Sequence, residues 1–155
     1  MRILPFMKRK NGIQFAGVGL DTGGGGGGGG GGSSIVITET PTKIGKYGND
    51  DLYAVVIKLP GDIVEVTRSF IEKEFNVAKI ITLSARYTHV VISSGVETQG
   101  INGELHTYGN PLVANVEVSY QYYESKDCFV YNVLTLQTGT KLKDFEIIAT
   151  FTKGD

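Results

Sequence analysis

The sequence predicts an all-β fold: an antiparallel β-sandwich, jelly-roll-like, with an extended N-terminal arm. Three observations carry this. Short runs rich in Val, Ile, Thr, Tyr and Phe recur through residues 35–155, each closed by Gly, Pro, Asn, Asp or Ser. Helical periodicity is nearly absent, with one short candidate at residues 68–75. The third observation is the run of ten glycines at residues 23–32. Glycine has no side chain to bury and loses the most backbone freedom on ordering, so such a run cannot serve a core.

Taken in order, the chain reads as a docking arm (1–22), a polyglycine/serine spacer (23–34) and one β-sandwich domain (35–155). Ser33 and Ser34 extend the glycines into the composition of a flexible tether. Ten glycines have an r.m.s. span of about 17 Å and an extended limit near ~35 Å. The 121 residues that follow suffice for one domain with a substantial core and leave no room for a second.

Within the domain, Ile35-Val36-Ile37-Thr38 is a short β-branched run broken at Pro41. Residues 52–59 form a strong strand candidate, and the turn-rich residues 45–51 before them read as a hairpin. Ile63-Val64-Glu65-Val66-Thr67 reads as another strand. In residues 68–75, Phe70, Ile71 and Phe75 fall near helical spacing. Residues 79–85 and 87–92 read as two strands, and Gly100 to Pro111 as a loop around a weak strand at 104–108. Alternation is clearest at 112–123, where Val116, Val118, Tyr120 and Tyr122 share a face. Ser125-Lys126-Asp127 reads as a hairpin turn into a partner strand at 128–137, and Thr138-Gly139-Thr140 turns into the last strand at 145–152. About eight strands result. An immunoglobulin domain is disfavoured, because the chain lacks tryptophan and has a single cysteine.

Charge is uneven. The first 22 residues carry Arg2, Lys8, Arg9 and Lys10 against Asp21, a net of +3; the rest carries 11 basic and 15 acidic residues, a net of −4, which together give the −1 of the whole chain. A basic arm suits an anionic surface. With no aromatic-rich basic face behind it, docking on another protein is the better account, and nucleic-acid binding is disfavoured. Cys128 lies in an apolar stretch and reads as a buried structural thiol. The start of the sequence lacks the layout of a signal peptide, and no run approaches the ~18 apolar residues of a membrane span.

Convergent chemistry is scarce. His89 sits inside a strand candidate and His106 beside a glycine-rich loop, and neither belongs to a ligand spacing. Asn49-Asp50-Asp51 lacks the alternating ligands of a calcium loop and reads as a solvated turn. Gly17-Val18-Gly19 lies in no βαβ unit, and the glycine run ends in no Gly-Lys-Ser/Thr, so neither binds a nucleotide. The chain reads as a non-enzyme without cofactor or metal. A second possibility comes from Tyr120, Tyr122, Tyr123 and Tyr131, which cluster on two adjacent strand candidates. Tyrosines there could stack on sugar rings, although a face shared with Val116 and Val118 equally makes them core or interface.

Three stretches resemble a known group. Residues 38–53, with Ile44-Gly45-Lys46-Tyr47-Gly48-Asn49-Asp50-Asp51-Leu52-Tyr53, resemble the Ile/Val-Gly-x-Trp-x-Asp-Gly-Lys-Pro-x-Tyr hairpin that opens a widespread phage and prophage structural domain. Phe75-Asn76-Val77-Ala78-Lys79-Ile80-Ile81-Thr82-Leu83 is similar to its Ile-x-Asn-x-x-Lys-Ile-Ile stretch, and Phe145 to Asp155 to its closing strand, which runs into Tyr-Thr-Lys. Tyr47 stands where that pattern has tryptophan, and Gly48-Asn49-Asp50-Asp51 replaces Asp-Gly-Lys-Pro. A short leader and a polyglycine before the domain are also common in that group.

The resemblance implies a virion structural protein: a head fibre, decoration or tail-tip component, made in the cytoplasm of the host bacterium and assembled as a homotrimer. The arm would dock on capsid or tail proteins through Ile3, Leu4, Pro5, Phe6, Ile13 and Phe15. The alternative expectation is a glycan-binding host-adhesion module. No membrane partner is expected.

Overall fold

The computed structural model describes residues 6–9, 12–15, 36–107 and 111–155, and every regular element among them is a strand. The arm contributes β1 (Phe6–Arg9) and β2 (Gly12–Phe15), paired antiparallel. The spacer lies outside the described residues. Ten strands follow: β3 (Val36–Ile37), β4 (Thr42–Tyr47), β5 (Asp50–Lys58), β6 (Thr67–Lys73), β7 (Val77–Val91), β8 (Glu97–Ile101), β9 (Gly103–His106), β10 (Leu112–Tyr123), β11 (Lys126–Leu136) and β12 (Thr140–Lys153).

They make a four-stranded sheet ordered β6-β11-β10-β9 and a five-stranded sheet ordered β4-β5-β12-β7-β8, while β3 pairs with β2. Placing β12 between β5 and β7, with β6 beside β11, is the nesting of early and late strands that a jelly roll uses. The hairpins β7–β8 and β9–β10 depart from it by pairing strands adjacent in sequence.

Several elements differ from expectation. Residues 67–73 are a strand, not a helix. Thr67, Ser69, Ile71 and Lys73 turn one way and are half-buried, while Arg68, Phe70 and Glu72 turn outward. This period of two, with a seven-residue ladder to β11, outweighs a helical spacing too short to bury a face. The strand expected at 63–67 shrinks to one bridge, Ile63 with Leu142, and leaves Val64 and Val66 exposed. The two strands expected at 79–92 are one strand of 15 residues, since neither Gly nor Pro interrupts them. The supposed loop at 100–111 contains the end of β8 and all of β9. Between them Asn102 binds β7: its N–H donates to the Ala85 carbonyl and its Oδ1 accepts from the Ala85 N–H. The β10–β11 turn consists of Glu124 and Ser125, both at positive φ (48° and 63°), one residue earlier than expected.

The chain divides into two compact units. The first comprises Met1–Val56, Phe75–Thr82 and Ala149–Asp155. Its core centres on Phe151, stacked on Tyr53 (6.2 Å) and on Phe75 (6.0 Å). Two cations lie over rings: Lys153 Nζ is 4.6 Å from the centre of Tyr53, and Lys79 Nζ is 5.1 Å from that of Tyr47. Asn76 adopts φ 59°, a conformation asparagine tolerates better than most residues. There its carbonyl accepts the Gly154 N–H (2.9 Å) and its Nδ2 donates to the Gly154 carbonyl (3.0 Å).

The second unit comprises Ile57–Glu74 and Leu83–Ile148. Its core is aromatic: Phe145 stacks with Tyr87 (6.0 Å, 9° between planes) and meets Tyr131 at 5.4 Å. Tyr87, Phe129, Phe145 and Leu142 are almost wholly excluded from solvent. Each such side chain contributes roughly 1.5–3 kcal/mol by leaving water. This burial has a polar cost. The Tyr87 hydroxyl and both ring nitrogens of His89 have no hydrogen-bond partner among the described residues. Burial pushes the Tyr87 hydroxyl up to about 12 and holds the His89 imidazole below its ordinary value.

Candidate functional site

The tyrosines of β10 and β11 do not form one surface. Tyr131 is buried against Phe145, with 8% of its area exposed. Tyr120 is half-buried, tilted on Phe129 at 5.4 Å, and donates its hydroxyl to Asp127 Oδ1 at 2.7 Å. Burial and that hydrogen bond hold the Tyr120 hydroxyl above its ordinary value. Tyr122 and Tyr123 are exposed but are consecutive on a strand, so they point to opposite faces. Val116, Val118 and Tyr120 do share an inward face, and Tyr122 leaves it where the hairpin runs into solvent.

Of the arm residues, Ile3, Leu4 and Pro5 lie outside the described residues. Pairing of β1 with β2 sets Phe6 opposite Phe15, and Ile13 pairs with Ile37 of β3. His89 is buried in the second unit, and His106 is exposed, 3.1 Å from Glu104. Cys128 is buried. Among the described residues no group of three or more His, Cys, Asp and Glu is placed to hold a metal.

The surface that does gather polar side chains is the outer face of the β6-β11-β10-β9 sheet, opposite the Phe129 and Tyr131 face. Register fixes its rows. Arg68 of β6 pairs with Asn132 of β11, which pairs with Glu117 of β10. Two residues along, the row is Phe70, Val130 and Ser119; the next is Glu72, Cys128 and Gln121. Val130 and Cys128 form a buried central stripe, flanked by exposed or half-buried neighbours. Phe70 leaves 55% of its area exposed. Between the first two rows lies a recess of about 410 Å³, lined by Arg68, Asn132, Glu117, Ser119, Val130 and Gly103.

Strands spaced ~4.8 Å apart put Arg68 and Glu117 about 10 Å apart across β11. Neither forms an ion pair with a described residue. The face therefore holds a cation and an anion at its two sides with an amide between them. Reading residues 68–75 as a helix hides this surface. The signal present in the sequence is the alternation Arg68-Ser69-Phe70-Ile71-Glu72, in which every second residue is charged or large.

Comparison with protein-family models, characterised proteins and solved structures finds no match to this chain.

Proposed function

We propose that this protein is a structural component of a phage particle, held by its N-terminal arm and presenting its β-sandwich outward across the glycine spacer. One observation carries the reading. The three stretches whose patterns resemble the phage structural domain lie mostly in the first compact unit, and of their residues Leu83 and 145–148 belong to the second. They supply four neighbouring strands of one sheet: β4 and β5, the start of β7, and the end of β12.

Within that unit the matched residues have interlocking roles. Asn76 binds Gly154, Lys79 covers the ring of Tyr47, and Lys153 covers that of Tyr53. Tyr47 stands where the pattern has tryptophan, and an aromatic ring is what Lys79 needs at that place. A motif held together by contacts among its own members marks a scaffold, not a reaction centre.

Deleting residues 1–22 tests the anchor. The truncated chain is expected to keep its β-rich circular dichroism and to be lost from purified particles. Incorporation at the wild-type level would overturn the reading.

A further inference from the structure

We propose that the outer face of the β6-β11-β10-β9 sheet is where two copies of this chain associate, about a two-fold axis parallel to β11. The proposal goes beyond the anchoring role and stands or falls independently of it. An axis in that direction sets each β6 residue of one copy against the β10 residue of the same row in the other, and each β11 residue against itself. The three rows are complementary under this operation. Arg68 meets Glu117, Phe70 meets Ser119, and Glu72 meets Gln121, each contact occurring twice.

Charge, size and hydrogen-bonding capacity agree row by row. The guanidinium and carboxylate, which form no ion pair with a described residue of their own chain, find partners in the other. The exposed ring of Phe70 comes down beside a serine at the edge of the recess. Glu72 accepts what Gln121 donates. On the axis, Asn132 meets its own amide, which carries both donor and acceptor. Val130 and Cys128, already buried within one copy, lie beneath the contact, and the apolar area that leaves water on association is that of Phe70.

Size is adequate for reversible association. The four strands hold 7, 11, 12 and 4 residues, which at ~3.3 Å per residue and ~4.8 Å per strand give a face of about 540 Å², at the low end of interface sizes and suited to weak association. With two ion pairs at its rim, association is expected to weaken as salt rises.

The test is sedimentation of the full chain as wild type, as Arg68→Glu, as Glu117→Arg, and as an equimolar mixture of the two variants. The wild type is expected to dimerise at micromolar concentration. Each variant alone places like charges together and is expected to self-associate at least tenfold more weakly, with an unchanged β-rich circular dichroism because both positions are exposed. In the mixture each contact is again between opposite charges, so dimer is expected to return. Recovery on mixing cannot come from misfolded variants. A wild type monomeric at ~100 µM, an assembly unaffected by Arg68→Glu (a trimer built on another surface included), or no recovery in the mixture would overturn the proposal. So would a monomer whose face binds a saccharide in an Arg68-dependent manner.

Discussion

Replacing Gly100 with alanine tests the packing of the second unit at its tightest point. Gly100 of β8 pairs with Tyr87 of β7, and the phenol ring lies across the glycine. A methyl group there would stand 2.3 Å from Tyr87 Cε2 and 2.4 Å from Cζ, whereas ordinary contacts begin near 3.4 Å. The ring must therefore retreat by about 1 Å in an interior packed as densely as an organic crystal. It has little room to do so: it is 1% exposed and lies parallel to Phe145 at 6.0 Å. Overpacking of this kind costs about 1–3 kcal/mol. For a domain of this size that lowers the melting temperature by about 4–12 °C. Urea unfolding of Gly100→Ala, of Tyr87→Leu and of the double variant measures it. In the leucine background, where no atoms reach the glycine, the alanine should cost under ~0.5 kcal/mol. An equal cost in both backgrounds, or a cost below ~0.5 kcal/mol in the wild type, would refute the packing argument.

Three further predictions concern the remaining strained or unpaired groups. His89 is held neutral by burial, so below its ordinary value of 6.5 the unfolded chain binds a proton that the folded chain resists; stability should fall as pH drops from 6.5 toward the lowered folded value, and less so in His89→Leu, as thermal melts at pH 7.5 and 5.5 will read. Asn76→Ala should destabilise by about 2 kcal/mol, combining left-handed strain with loss of the bond to Gly154; Asn76→Gly should recover about half, and equal losses would count against the backbone contribution. The β10–β11 turn asks two non-glycine residues to hold positive φ, so Glu124→Asn with Ser125→Gly should raise stability by about 1 kcal/mol, and no gain in urea midpoint would show that the turn is unstrained.

The all-β architecture was legible wherever alternation met a partner strand. Residues 112–123 alternate cleanly and form β10, and residues 145–152 lie inside β12. Phe145, Ile147, Ala149 and Phe151 share one face of β12, and Ile148 departs from the polar Glu146, Thr150 and Thr152 on the other because residues 145–152 are buried on both faces, so an apolar side chain fits either. What escaped were features set by partners remote in sequence. The seven residues of β6 are too few for periodicity to choose between helix and strand, and β11 makes the choice. The candidate face was hidden for the same reason, because Arg68, Asn132 and Glu117 join one row only through register. The tyrosines were visible as a cluster in sequence. Their separation into core, hairpin and opposite faces follows from strand parity and from where β10 leaves the sheet's shelter.

If the arm holds the particle while the sandwich is displayed, a cut between them should separate the two. The most direct test inserts a specific protease site within residues 23–32, assembles particles with that chain, cleaves them and sediments them. After cleavage the two-residue pairing of β2 with β3 still links the pieces; it is too short to hold them, so the fragment carrying residues 35–155 is expected in the supernatant and the arm peptide in the pellet with the particles. Retention of the sandwich on the particles, or release of the arm together with it, would contradict the claim.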